Sequence, residues 1–175
     1  MIKNVSNEEL EEVASQVLDY LVAEEIISRE MSDNVLGSER GYCPGKSWQK
    51  AVRYPEESHF LELLTNGLDV IKRRNIFYAD GREFEAINCP NCGANNLNCD
   101  WGELFGQWLE DPTSAELECV SCEQSNSISK YVFEPTWALS NLGFIFWNWP
   151  TFKDSFLTEL QELTGKNVLK VEGKL

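Results

Sequence analysis

Leu10, Val13, Ala14, Val17, Leu18 and Leu21 recur at intervals of three and four residues, the spacing that gathers side chains on one face of an α-helix. Ser6 followed by Glu9 has the form of a capping box just ahead of that run. Together they predict a helix from about 7 to 30 with a strongly acidic outer face. Residues 32–54 hold three glycines and a proline with no sustained period, and read as an irregular connection. Pro55-Glu56-Glu57 has the proline and the acids that favour a helix start. Phe60, Leu63, Leu64, Leu68 and Ile71 then form the stripe of a second predicted helix, closed by Lys72-Arg73-Arg74.

From residue 75 the period shortens. Ile76-Phe77-Tyr78 and Phe84-Glu85-Ala86-Ile87 flank Asp80-Gly81, which predicts a hairpin leading into a pair of cysteines. Glu116 to Cys119, Ser127 to Phe133 and Leu142 to Trp147 are further strand candidates. Thr151 with Asp154 opens a last helix whose stripe is Phe152, Phe156, Leu157, Leu160 and Leu163, stopped by Gly165. Val168, Leu169 and Val171 read as a terminal strand. The expected fold is α+β within a single domain, 1–175: a helical part over 6–74, a cysteine-bearing segment over about 84–133, and a C-terminal strand and helix over 137–175.

Composition supports a folded protein: of 175 residues, 42% are hydrophobic and 11% aromatic, with six Trp and nine Phe. The start, MIKNVSNEELEEVAS, lacks the basic and apolar regions of an export signal, and no later run has the apolar length of a membrane span. A cytoplasmic protein with no membrane association is expected. Formal net charge is −14. Residues 1–40 carry ten acids against Lys3, Arg29 and Arg40, and Glu83 to Ser129 holds nine acids with no Lys or Arg. A phosphate backbone must be met by cations, so nucleic acid is an unsuitable partner and a basic protein a suitable one. The alternative for the same charge is a solubilising surface.

Cys89-Pro-Asn-Cys92-Gly and Cys119-Val-Ser-Cys122 put two thiolates on each of two short turns. In a reducing compartment that pattern points to a metal held by Cys89, Cys92, Cys119 and Cys122 rather than to disulfides. Four thiolates fill a tetrahedral ion, leaving no open position for an activated water, so the expected role is structural. Buried unbound thiols or a redox pair are the competing readings, and iron can replace zinc in an overexpressed sample. The segment 84–133 resembles a zinc ribbon, and the C-P-x-C-G form of the first turn is similar to that family's motif. The resemblance implies structural Zn2+; Glu123, where many ribbons have glycine, departs from it. The C-terminal GFIFWNWP, followed by a helix and Gly, is similar to uncharacterised small bacterial zinc-ribbon proteins, a resemblance that carries no activity over.

Other chemistry is thin. Cys43 and Cys99 read as ordinary thiols, although Cys99 lies close enough in sequence to compete as a ligand. Gly41-Tyr-Cys-Pro-Gly45-Lys46-Ser47 looks like a phosphate-binding loop but is one residue short, and Pro44 removes an amide. His59 is the single histidine, which deprives the common acid–base and nucleophile arrangements of their usual member. Acid pairs such as Glu8-Glu9 and Glu11-Glu12 lie on a solvated helix face. Trp137, Phe144, Phe146, Trp147 and Trp149 read as core or interface aromatics, because no Lys or Arg interleaves them as in a base-stacking platform.

The first functional expectation is therefore a non-enzymatic, acidic, protein-binding protein, for instance a bacterial immunity protein that neutralises a basic nuclease-type toxin. The alternatives are a zinc-ribbon module of the transcription or translation machinery, or a small enzyme with an unrecognised site.

Overall fold

The computed structural model describes residues 1–78 and 83–173, and the fold is α+β, with three α-helices and antiparallel sheets among those residues. Contacts divide the chain into two compact units, 1–73 with 141–170 and 74–140 with 171–175.

In the first unit, helix α1 spans Leu10–Ala23. The Ser6/Glu9 pair ahead of it is reciprocal: Glu9 Oε2 accepts from the Ser6 amide at 3.1 Å and hydroxyl at 3.0 Å, and the Glu9 amide donates to Ser6 Oγ at 3.3 Å. The helix stops well short of residue 30. Glu25 takes a positive φ of 58°, and the chain leaves as strand β1, Ile27–Ser32. The expected irregular connection contains β2, Gly41–Pro44.

The second predicted helix does not form. Its N-terminal half is a 3-10 turn over Ser58–Glu62, and its C-terminal half is β3, Leu68–Ile71. Gly67 and Asn66 interrupt the stripe, and Leu68 to Ile71 gain more from pairing along their whole length with β10, Gly143–Phe146, than from one helical turn. The result is a four-stranded antiparallel sheet in the order β1-β2-β3-β10. Helix α3, Asp154–Thr164, ends as predicted on Gly165 in the left-handed region (φ +64°). Val13, Ala14, Val17 and Leu21 of α1, Phe156 and Leu160 of α3, and Ile27 and Leu68 of the sheet share one buried cluster. Val168 makes a single bridge to Ile2, in place of the expected terminal strand.

The second unit is built from short antiparallel pairs. β4, Asn75–Phe77, pairs with β9, Ala138–Ser140. β5, Ala86–Asn88, pairs with β8, Val132–Glu134. The two halves of the predicted hairpin thus find other partners, while Asp80-Gly81 lie outside the described residues. β6, Glu116–Glu118, pairs with β7, Ser125–Ser127. A 3-10 turn over Ile128–Lys130 breaks the strand expected from Ser127 to Phe133. Helix α2, Gly102–Glu110, fills the interval between the cysteine pairs; Trp108 buries from it, with Trp101, Leu104 and Phe105 packed on the same core. No helix of the described residues is long and apolar enough to cross a membrane.

Candidate metal centre

β5 delivers Cys89 and β6 delivers Cys119, each at the start of a tight turn. In the first turn the Cys89 amide donates to Ala94 O (2.9 Å), the Gly93 amide to Cys89 O (3.0 Å) and the Asn91 amide to Cys89 Sγ (3.4 Å). In the second, the Cys119 amide donates to Gln124 O (3.2 Å), the Glu123 amide to Cys119 O (2.9 Å) and the Ser121 amide to Cys119 Sγ (3.4 Å). The two turns match position for position. Each needs one residue in the left-handed region, Gly93 at φ +73° and Glu123 at φ +58°, so Glu123 does by strain what glycine does freely.

The sulfurs meet crosswise, Cys89 with Cys122 at 3.8 Å and Cys92 with Cys119 at 3.6 Å, and all four lie within 4.8 Å of one another. A disulfide needs an S–S separation of about 2.05 Å. Four thiolates held about 2.3 Å from a tetrahedral ion sit about 3.8 Å apart. The arrangement therefore fits one metal ion, and the four cysteines can hold it.

Cys89 and Cys119 are buried, Cys122 is half-buried and Cys92 is exposed. Leu117, Ile128, Tyr131 and Phe133 pack in the same cluster as Cys89 and Cys119, and the Tyr131 hydroxyl is fixed by donating to Leu117 O at 2.8 Å. The amides of Cys122 and Ser121 point at Cys119 Sγ and hold its pKa down to about 6. On Cys122 the Gln124 amide also favours the thiolate, but burial and the other thiols outweigh it and raise the pKa to about 12. Four close thiols cannot all ionise alone; a cation removes that conflict.

Two residues that the sequence reading passed over complete the centre. Asn95 Oδ1 accepts from the Ile87 amide at 3.0 Å and the Leu97 amide at 2.9 Å. Asn96, only 1% exposed, accepts from the Val120 amide at 3.0 Å and donates to Ala94 O at 2.7 Å. Their signal in the sequence was an Asn-Asn pair directly after Cys-Gly-Ala, which no periodicity marks.

Cys99 stays outside the four-sulfur group, its thiol 3.8 Å from Asn96 Oδ1, and Cys43 faces Ser32 Oγ at 3.3 Å. In the phosphate-loop lookalike the Gly45 amide donates to Ile26 O (2.8 Å), the Ser47 amide donates to Glu25 O (2.9 Å), and the Lys46 side chain pairs with Glu25 at 2.6 Å. A Cβ at Gly45 would run into the Glu25 backbone, which explains that glycine. His59 is exposed beside Glu62 at 3.4 Å. Trp137 packs against Phe84 and Phe105 in the second unit, whereas Phe146 and Trp149 pack with Phe152 in the first. Comparison with protein-family models, curated proteins and solved structures found no match to this chain.

Proposed function

We propose that the four cysteines hold a structural zinc ion in a ribbon-like insertion, and that the protein acts without catalysis by binding a basic protein, as a bacterial immunity protein binds a nuclease-type toxin. Zinc is the ion best matched to a closed four-thiolate tetrahedron. The observation that carries the binding reading is an ordered loop of outward-facing leucines. Leu61, Leu63 and Leu64 are 42%, 39% and 90% exposed. The backbone beneath them is pinned by three side chains: Asn66 Nδ2 donates to Leu61 O (3.1 Å), Asn148 Nδ2 to Thr65 O (2.7 Å) and Trp149 Nε1 to Asn66 O (2.7 Å). Phe60, buried against Trp48 and Trp149, anchors the same segment.

Apolar side chains carried on a backbone that is already pinned leave less of the chain to be ordered on binding. Glu56, Glu57 and Glu62 lie exposed in this segment, and from Tyr54 to Ile71 there is no Lys or Arg. A partner that covers the leucines is therefore met by negative charge, which favours and steers a basic one. The test is co-expression with the products of adjacent genes, followed by co-purification and a survival assay. Binding and protection are expected, with Leu64→Asp weakening binding at least tenfold while leaving the fold intact. Absence of binding or protection with every neighbouring product would remove the reading.

A further inference from the structure

The two cysteine turns repeat each other so closely that their one asymmetry stands out. Position for position, Val120 of the second turn corresponds to Pro90 of the first, and Asn126 after the second turn corresponds to Asn96 after the first. The Val120 amide is received by Asn96 Oδ1 at 3.0 Å, a hydrogen bond that crosses from the chain of one turn to the backbone of the other. The reverse bond has no donor, because proline carries no N–H. Asn126 makes no corresponding bond, and its Nδ2 is buried with no partner, whereas Asn96 Nδ2 donates to Ala94 O.

We infer that Asn96 is a positioning residue for the metal centre: its side chain clasps the second cysteine turn to the first at the separation the ion requires. The inference rests on the metal reading of the four cysteines. Asn96 is rooted by its own backbone, whose amide donates to Ile87 O at 2.8 Å and whose carbonyl receives the Cys99 amide at 3.0 Å. It therefore ties Cys119 and Cys122 to the strand that delivers Cys89. A buried asparagine that spends both ends of its side chain in this way fixes a distance, since each lost bond would leave a buried polar group unpaired. Groups that orient ligands without touching the ion commonly govern affinity by ten- to a hundredfold.

The test uses the full chain, reduced and stripped of metal, titrated with Zn2+ against a chromophoric chelator and with Co2+ followed by its visible ligand-field bands. Asn96→Ala removes the acceptor. Val120→Pro removes the donor and copies the proline that the first turn already accommodates, so it keeps the question answerable where N96A fails to fold. Each is expected to weaken Zn2+ binding about ten- to a hundredfold and to broaden the Co2+ bands. The double variant should be no worse than Asn96→Ala alone, because both changes delete the Val120–Asn96 bond and only Asn96→Ala also removes the bond to Ala94 O. Asn126→Ala, at the equivalent position that makes no such bond, should bind as the unaltered chain does. Unchanged affinity in both N96A and V120P, or an equal loss in N126A, overturns the assignment. An unaltered chain that takes up neither metal removes the metal reading itself and this assignment with it, a result distinct from either.

Discussion

Glu123 occupies a conformation that an L-residue reaches at a cost of about 1–2 kcal/mol, while its counterpart Gly93 reaches it freely. Glu123→Gly should therefore stabilise the metal-loaded segment by about 1 kcal/mol, the relief of strain exceeding the added freedom of the unfolded chain. Gly93→Ala should destabilise it by a similar amount, through φ alone, since no atom lies near enough to meet the new Cβ. Denaturant midpoints at fixed zinc concentration measure both, and opposite signs are required. Glu9 supports a second prediction at this scale. Hydrogen bonding from Lys166 first, then from the Ser6 amide and hydroxyl, lowers its carboxyl from an ordinary 4.5 to about 2. A depressed folded-state value means that the contribution is complete above 4.5 and disappears as pH falls through about 2. Glu9→Gln should flatten the acid dependence of stability within that window and leave it unchanged above it; an identical acid limb in both proteins would refute the linkage.

Among the elements, those with one dominant local signal were legible in the sequence. Helices α1 and α3 carry a stripe, a start signal and, in α3, a glycine stop. The stretch from Pro55 to Arg74 shows why a stripe alone is insufficient. Phe60 buries but Leu63 and Leu64 face solvent, and Leu68 to Ile71 are claimed by a strand more than seventy residues distant in the chain, a partner that no local window contains. Helix α2 was missed because Gly102 and Gly106 dilute its propensity, although Trp101, Leu104, Phe105 and Trp108 have helical spacing. The gathering of the four cysteines was legible because metal-binding chemistry constrains their spacing directly; the Asn95 and Asn96 brackets were not, because their role depends on which backbone amides folding leaves unpaired. At this scale α1 offers a calibrating prediction. Leu21 is 0% exposed in the cluster shared by α1, α3 and the sheet, so Leu21→Ala should cost about 2–5 kcal/mol. A loss below 1 kcal/mol by chemical denaturation would show that α1 packs less tightly than its burial indicates.

For the molecule as a whole, the consequential fact is that each unit has its own core and that the four cysteines lie in only one of them. The core of the second unit includes Cys89 and Cys119 themselves, beside Ile87, Leu117 and Ile128, so an ion held by these cysteines would be bonded directly to that core. A structural zinc site contributes on the order of 10–16 kcal/mol in small metal-folded peptides, comparable to a domain's entire stability. The first unit, with α1 and α3 packed with a four-stranded sheet, contains none of the four clustered cysteines. Chelation should therefore unfold the chain in parts. Amide hydrogen exchange followed by mass spectrometry should show peptides from 84–140 losing protection after chelator treatment, while peptides from α1 and β3 keep theirs. Acid should have the same regional effect, because protons compete with the ion for the thiolates. Simultaneous loss of protection in both regions would show that the ion stabilises the whole chain as one cooperative body; no loss in either would show that the four cysteines hold their turns without it.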